Sequence, residues 1–218
     1  MRHVFLETNW LVAVARPAHD RLPAACDLLN LAKDKQIRIY VPACCIREAK
    51  NTIRSKSQPK EADRLRKYVR WAVEQKVLDQ ETAEAAGKML LSFEGRITSE
   101  LAHLNDTLCD ITSAVGVEVV PLSDAMLEKT LELHFKEIDL SEFDRAVLAA
   151  VLIKGRDLRD SGERDVNFST LDSDLWPWEK RTAPSRARPE LKGLYDDAGV
   201  WVYSDFTLTN PGRPQVFP

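Results

Sequence analysis

Five short runs of the chain concentrate β-branched and aromatic residues: 3–6 (HVFL), 37–41 (IRIYV), 117–122 (VEVVPL), 166–171 (VNFSTL) and 200–203 (VWVY). Each has the length and composition of a pleated strand. The stretches between them repeat apolar residues at helical spacing, which predicts helices over 9–15, 20–33, 44–55, 60–76, 80–111, 124–136, 142–154 and 189–198. Two stripes are explicit. Leu65, Val69, Ala72 and Val73 form one apolar face while Lys60, Arg64 and Lys67 share another. Ile97, Leu101, Leu104, Leu108 and Ile111 recur at alternating intervals of four and three. Both stripes read as core-packing faces. Strands separated by helices predict an α/β fold of three layers, α/β/α, around a central parallel sheet of about five strands with right-handed crossovers.

The region from about residue 59 to residue 112 offers no strand and holds more helix than one βαβ crossover needs. It reads as a helical insertion on the rim of the sheet, inside a single domain of residues 1–205. Residues 206–218 read as an irregular tail, because the last fifteen residues hold three prolines and no periodicity. Composition narrows the class: of 218 residues, 44% are hydrophobic and 30% charged, the balance of a globular chain. No apolar run approaches the ~18–20 residues of a membrane span, and the opening MRHVFLETNW reaches an acidic residue too soon for a secretory signal. Cys26, Cys44, Cys45 and Cys109 form no CxxC pair and lie among apolar neighbours, so buried thiols in a reducing, cytoplasmic setting are expected. His3, His19, His103 and His134 have neither HExxH nor HxxxH spacing, which argues against a zinc site.

Four acids stand out by location. Glu7 follows the first predicted strand, Glu48 lies in the helix after the second, Asp144 opens the helix of 142–154, and Asp172 follows the fourth strand. In a parallel sheet these positions share the rim at the strands' C-terminal ends, where ligands bind in open α/β folds. Carboxylates about 4 Å apart repel by roughly 4 kcal/mol at an effective dielectric of 20. Protonation or a hard divalent cation relieves that repulsion, and an all-oxygen donor set suits Mg²⁺ or Mn²⁺. Each acid also has an ordinary reading. Ser141 and Asp144 have capping-box spacing, Asp172 suits an N-cap, Glu48 suits a first-turn charge, and Asn9 suits the N-cap of the first helix. Glu7 fits least well into such a role, since Glu is a poor N-cap.

Several segments carry a resemblance. The first strand ends Glu7-Thr8-Asn9, Pro42 leads to Glu48, Asp144 is followed by RAVLAA, Thr170-Leu-Asp172-Ser-Asp174 follows the fourth strand, and the last strand is GVWV from Gly199. In this order they resemble the PIN domains, small metal-dependent nucleases, over about residues 2–205 apart from the insertion. The resemblance implies hydrolysis of phosphodiester bonds in RNA at a Mg²⁺ or Mn²⁺ site. Glu7, Glu48, Asp144 and Asp172 would be the catalytic and metal-holding acids, with Asp174 a further ligand and Asn9 and Thr170 as polar supports. Small members of that family are often toxins neutralised by an antitoxin protein; such a partner, or a second copy, is the protein partner it implies. The family usually has Asp where this chain has Glu7, one methylene longer. That departure favours an alternative, a catalytically weakened module that binds nucleic acid or protein.

Charge supplies a route for the substrate. The formal net charge is −3, yet residues 50–70 carry eight basic side chains, among them Lys50, Arg54, Lys60, Arg64 and Lys67, against two acids. A stripe of this kind beside an acidic rim would guide a phosphate backbone toward it. Lys180, Arg181, Arg186 and Arg188 form a smaller cluster, and Trp176 and Trp178 read as core-closing aromatics. The run LDSDL at 171–175 also resembles the nucleophile loop of haloacid-dehalogenase phosphatases, but only 44 residues follow Asp174, too few for that family's remaining elements.

Overall fold

The computed structural model describes residues 1–57, 60–136, 138–179 and 188–209, with the side chains of Lys60 and Glu61 outside the described set. Five parallel strands, β1 (Arg2–Leu6), β2 (Ile37–Pro42), β3 (Val117–Val120), β4 (Val166–Ser169) and β5 (Val200–Tyr203), line up in the order β3-β2-β1-β4-β5. The first two crossovers step outward from β1 in one direction; the chain then returns to pair β4 with the other edge of β1. That reversal puts the switch point of the sheet between β1 and β4. Val4, Phe5 and Leu6 of β1 and Phe168 of β4 are wholly buried, as strands covered on both faces must be.

The helices are α1 (Thr8–Ala15), α2 (Pro23–Lys33), α3 (Ala43–Lys56), α4 (Lys60–Glu74), α5 (Gln80–Ala102), α6 (Leu104–Thr112), α7 (Asp124–Phe135), α8 (Glu142–Asp160) and α9 (Pro189–Ala198). α1 packs on α2, α3 and α6, while α8 packs on α7 and α9, giving the two outer layers of an α/β/α sandwich. Local chemistry sets many of the ends. Pro23 and Pro189 occupy first-turn positions, Asp79 and Ser123 cap α5 and α7 with their side chains, and Gly199 closes α9 at φ 69. Gly116, at φ 79 before β3, is required twice over, because a Cβ there would lie 2.3 Å from the carbonyl oxygen of Ala32.

The structure departs from the sequence reading in defined places. The helix expected over 80–111 is two helices. At His103 ψ rises to 10, which interrupts the α-helical ladder, although Ile97, Leu104, Leu108 and Ile111 stay buried on one continuous face. The stripe on α4 does not pack as expected at its start: Leu65 is 50% exposed and, of the stripe, only Ala72 is buried, because among the described residues α5 alone packs closely against this helix. Of the cysteines only Cys45 is buried; Cys26 and Cys44 are half-buried and Cys109 is exposed, on the outer side of α6. Trp176 and Trp178 stack on each other at 5.6 Å, and Trp178 packs against the core as expected. Lys180, Arg181 and Arg186 lie outside the described residues, as does most of the expected tail.

Candidate active site

β1 passes into α1 with no intervening loop, so Glu7 is at once the end of the central strand and the cap of a helix. Its backbone is extended, its Oε2 accepts the Asn9 N–H at 2.8 Å, and its Oε1 accepts the Thr170 hydroxyl at 3.2 Å. This corrects two sequence expectations. Glu7 does cap α1, because the extra methylene is taken up by folding the carboxylate back over the first turn, and Asn9 lies inside the helix rather than at its cap. Thr170 follows β4, so its bond to Glu7 spans the switch point of the sheet. The same Thr170 oxygen accepts the Asp172 N–H at 2.9 Å, and the Thr170 carbonyl accepts the Trp176 indole N–H at 2.9 Å. One fully buried threonine therefore orients both Glu7 and the start of the Asp172 turn.

Asp172 caps a 3₁₀ turn, Ser173–Leu175, by accepting the Asp174 N–H at 2.9 Å. The turn is pinned from below, where the buried Tyr195 hydroxyl donates to the Leu175 carbonyl at 2.9 Å, and from the side, where Arg188 donates to the Asp174 carbonyl at 2.6 Å. Asp144, in the first turn of α8, accepts the Ser141 hydroxyl at 2.6 Å while its own N–H donates to that hydroxyl at 3.1 Å. The capping readings of Asp144 and Asp172 thus hold, and the charge of Asp172 still reaches Asp144. Glu48 lies beyond the first turn of α3, where no acidic residue stands, so the expected first-turn role is corrected. It is half-buried and accepts a short hydrogen bond from the Thr8 hydroxyl. Thr8 is the residue missed by sequence reasoning; it stands between Glu7 and Asn9 in the opening motif.

Electrostatics links these groups unevenly. Burial pushes the Glu7 carboxyl up from 4.5 to about 7, overcoming the hydrogen bonds from Asn9 and Thr170, and the negative charge of Asp172 adds to the rise. Asp144 is also raised, by burial first, against the pull of Ser141 and with the help of Asp172 and Asp174. The charge of Asp172 thus acts on both Glu7 and Asp144, and that of Asp174 on Asp144, whereas Glu48 is tied to Thr8. None of the five takes an ion-pair partner among the described residues. An all-oxygen set of mutually repelling carboxylates has the donor chemistry for a hard divalent cation. As they stand, though, no three His, Cys, Asp or Glu side chains surround a common point among the described residues.

Of the basic residues, Lys50 is half-buried on α3 and Arg54, Arg64 and Lys67 are exposed; the side chain of Lys60 lies outside the described set. Two cavities, of about 330 Å³ between α4 and α5 and about 380 Å³ beside Leu194 of α9, include none of the rim acids. No described helix is long and apolar enough to cross a membrane. Comparison with family models, with curated proteins and with solved structures found no match for this chain.

Proposed function

We propose that this chain is a metal-dependent endoribonuclease of the PIN type, cutting RNA at the rim formed by Glu7, Asp144 and Asp172. One observation carries the reading: the charge of Asp172 acts on both Glu7 and Asp144, acids from distant parts of the chain without basic partners among the described residues, at the rim of a parallel sheet. Glu7, Asp144 and Asp172 would hold a Mg²⁺ or Mn²⁺ ion, with Asp174 and Glu48 in reserve. A bound cation supplies an acidified water and neutralises charge on the phosphate. The chain's own part is orientation. Thr170 fixes the Glu7 carboxylate, Thr8 holds Glu48, and Ser141 holds Asp144. With Glu7 as a ligand, a cation would displace the proton that burial favours on its carboxyl, and binding near neutral pH would release protons.

The test is cleavage of mixed RNA with Mn²⁺ or Mg²⁺, with and without chelator. Chelator-sensitive cleavage lost in Asp144→Asn and Asp172→Asn is expected. The absence of any metal-dependent cleavage by the wild-type chain overturns the reading. A second reading, a weakened module that binds without cutting, is favoured by the separation of the acids and by the longer side chain at Glu7. RNA binding without turnover, unchanged by Asp172→Asn, would establish it.

A further inference from the structure

The outward face of α4 combines two kinds of side chain. Arg64, Lys67, Tyr68 and Trp71 recur at intervals of three and four, so they stand on one side of the helix. All four are exposed, Tyr68 by 62% and Trp71 by 49%, and the two rings lie 5.6 Å apart with their planes inclined at 34°. A soluble helix normally turns its aromatics inward; this one turns Ala62 and Ala72 inward and leaves the rings outside. The cations around them are not all engaged. Arg66 is taken up by Asp63 and Glu94, but Lys67 and Arg70 make no ion pair among the described residues. Across the helix five basic residues face three acidic ones in a chain whose net charge is −3.

We propose that this face of α4 is a docking surface for single-stranded nucleic acid, with unpaired bases stacking on Tyr68 and Trp71 and the phosphates lying against Lys67 and against Arg70 at the edge of the face toward α5. Rings present a π-face to any base, and the flanking cations complement the backbone charge, the combination that holds single strands without reading their sequence. A protein partner, whose interfaces also favour Tyr, Trp and Arg, is the occupant the test below separates from a single strand. The choice of RNA as the strand rests on the nuclease reading; the surface itself does not. It lies on the helical insertion, outside the acidic rim, and so serves to retain substrate rather than to cut it.

The probe is a fluorescein-labelled oligouridine of about twelve nucleotides, titrated in chelator so that no cleavage occurs. Salt-dependent binding is expected, with the same length of duplex bound at least about tenfold more weakly because its bases are already stacked. Tyr68→Ala/Trp71→Ala should lose more than about tenfold in affinity, each stacked ring being worth roughly five- to a hundredfold. Lys67→Gln and Arg70→Gln should each lower the slope of log affinity against log salt by about 0.7. Because these side chains are exposed, an unchanged thermal transition accompanies the loss. Wild-type affinity in the double aromatic variant, equal binding of duplex, or absence of binding overturns the proposal. So does self-association of the wild-type chain abolished by the double variant without nucleotide binding, which would assign the face to a second copy. Binding lost in the variant while the wild type never cuts leaves the surface standing and removes the nuclease reading. Cleavage that persists with unaltered substrate affinity in the variant does the reverse.

Discussion

Thr170 offers one oxygen to two acidic segments, donating its proton to Glu7 and accepting the Asp172 N–H, inside a site with no measurable exposure. Removing that oxygen takes one hydrogen bond from the buried Glu7 carboxyl and one from the half-buried Asp172 amide. Thr170→Val, close in shape, is expected to cost about 1–3 kcal/mol in urea denaturation, with Thr170→Ser restoring most of it. Glu7 makes a second prediction at this scale. Its folded pKa of about 7 lies above its ordinary 4.5, so the native state holds the proton more tightly than the unfolded chain does. The stability this confers is complete below the unfolded value and is lost as pH rises through the folded one. Wild-type stability should therefore fall between about pH 5 and pH 8. Glu7→Gln, permanently neutral, should lack that component and exceed wild type by up to about 3 kcal/mol at the alkaline end. Equal pH slopes for the two proteins would refute the assignment. Mn²⁺ should recover the difference for wild type at the alkaline end and not for the variant.

Elements were more legible in the sequence than their ends or their exposure. All five strands follow from short β-branched runs, and the parallel sheet follows from the helices between them. Ile97 to Ile111 shows the limit. The apolar repeat runs unbroken through His103, so periodicity alone reads one helix where a single residue's ψ makes two. Leu65 and the cysteines show another, since burial depends on which neighbour covers a face, and α4 has few neighbours. At the candidate site the acids and Thr170 were legible from their order after strands. Thr8 was not singled out, because its partner Glu48 lies 40 residues away and only the packing of α1 on α3 brings them together. Tyr68 and Trp71 were passed over because aromatics at helical spacing ordinarily mean core. Gly116 tests the element scale directly. Gly116→Ala meets the Ala32 backbone at an already left-handed position and should destabilise by more than about 2 kcal/mol in denaturant titration, whereas Gly87→Ala, with open space around its Cβ position and a helical backbone, should be neutral or slightly stabilising.

Across the whole molecule, stability is unevenly distributed. The two-sided core of β1 and β4 contrasts with α4 and the first half of α5, where Tyr68, Trp71, Met89 and Leu91 remain in solvent. Native-state hydrogen exchange should show amides of α4 and early α5 opening well below the global free energy, and those of β1 and β4 only with global unfolding. Uniform protection across both regions would contradict that division.

The pairing of β1 with β4 has a consequence for biosynthesis. β1 leaves the ribosome well before this neighbour, which lies more than 160 residues later in the chain. Until then one of its edges stays open, a template for wrong pairing. The acidic rim is likewise incomplete until Thr170 and Asp172 have emerged. On the nuclease reading proposed above, a nascent chain would be unable to attack its own message until Thr170 and Asp172 had been made.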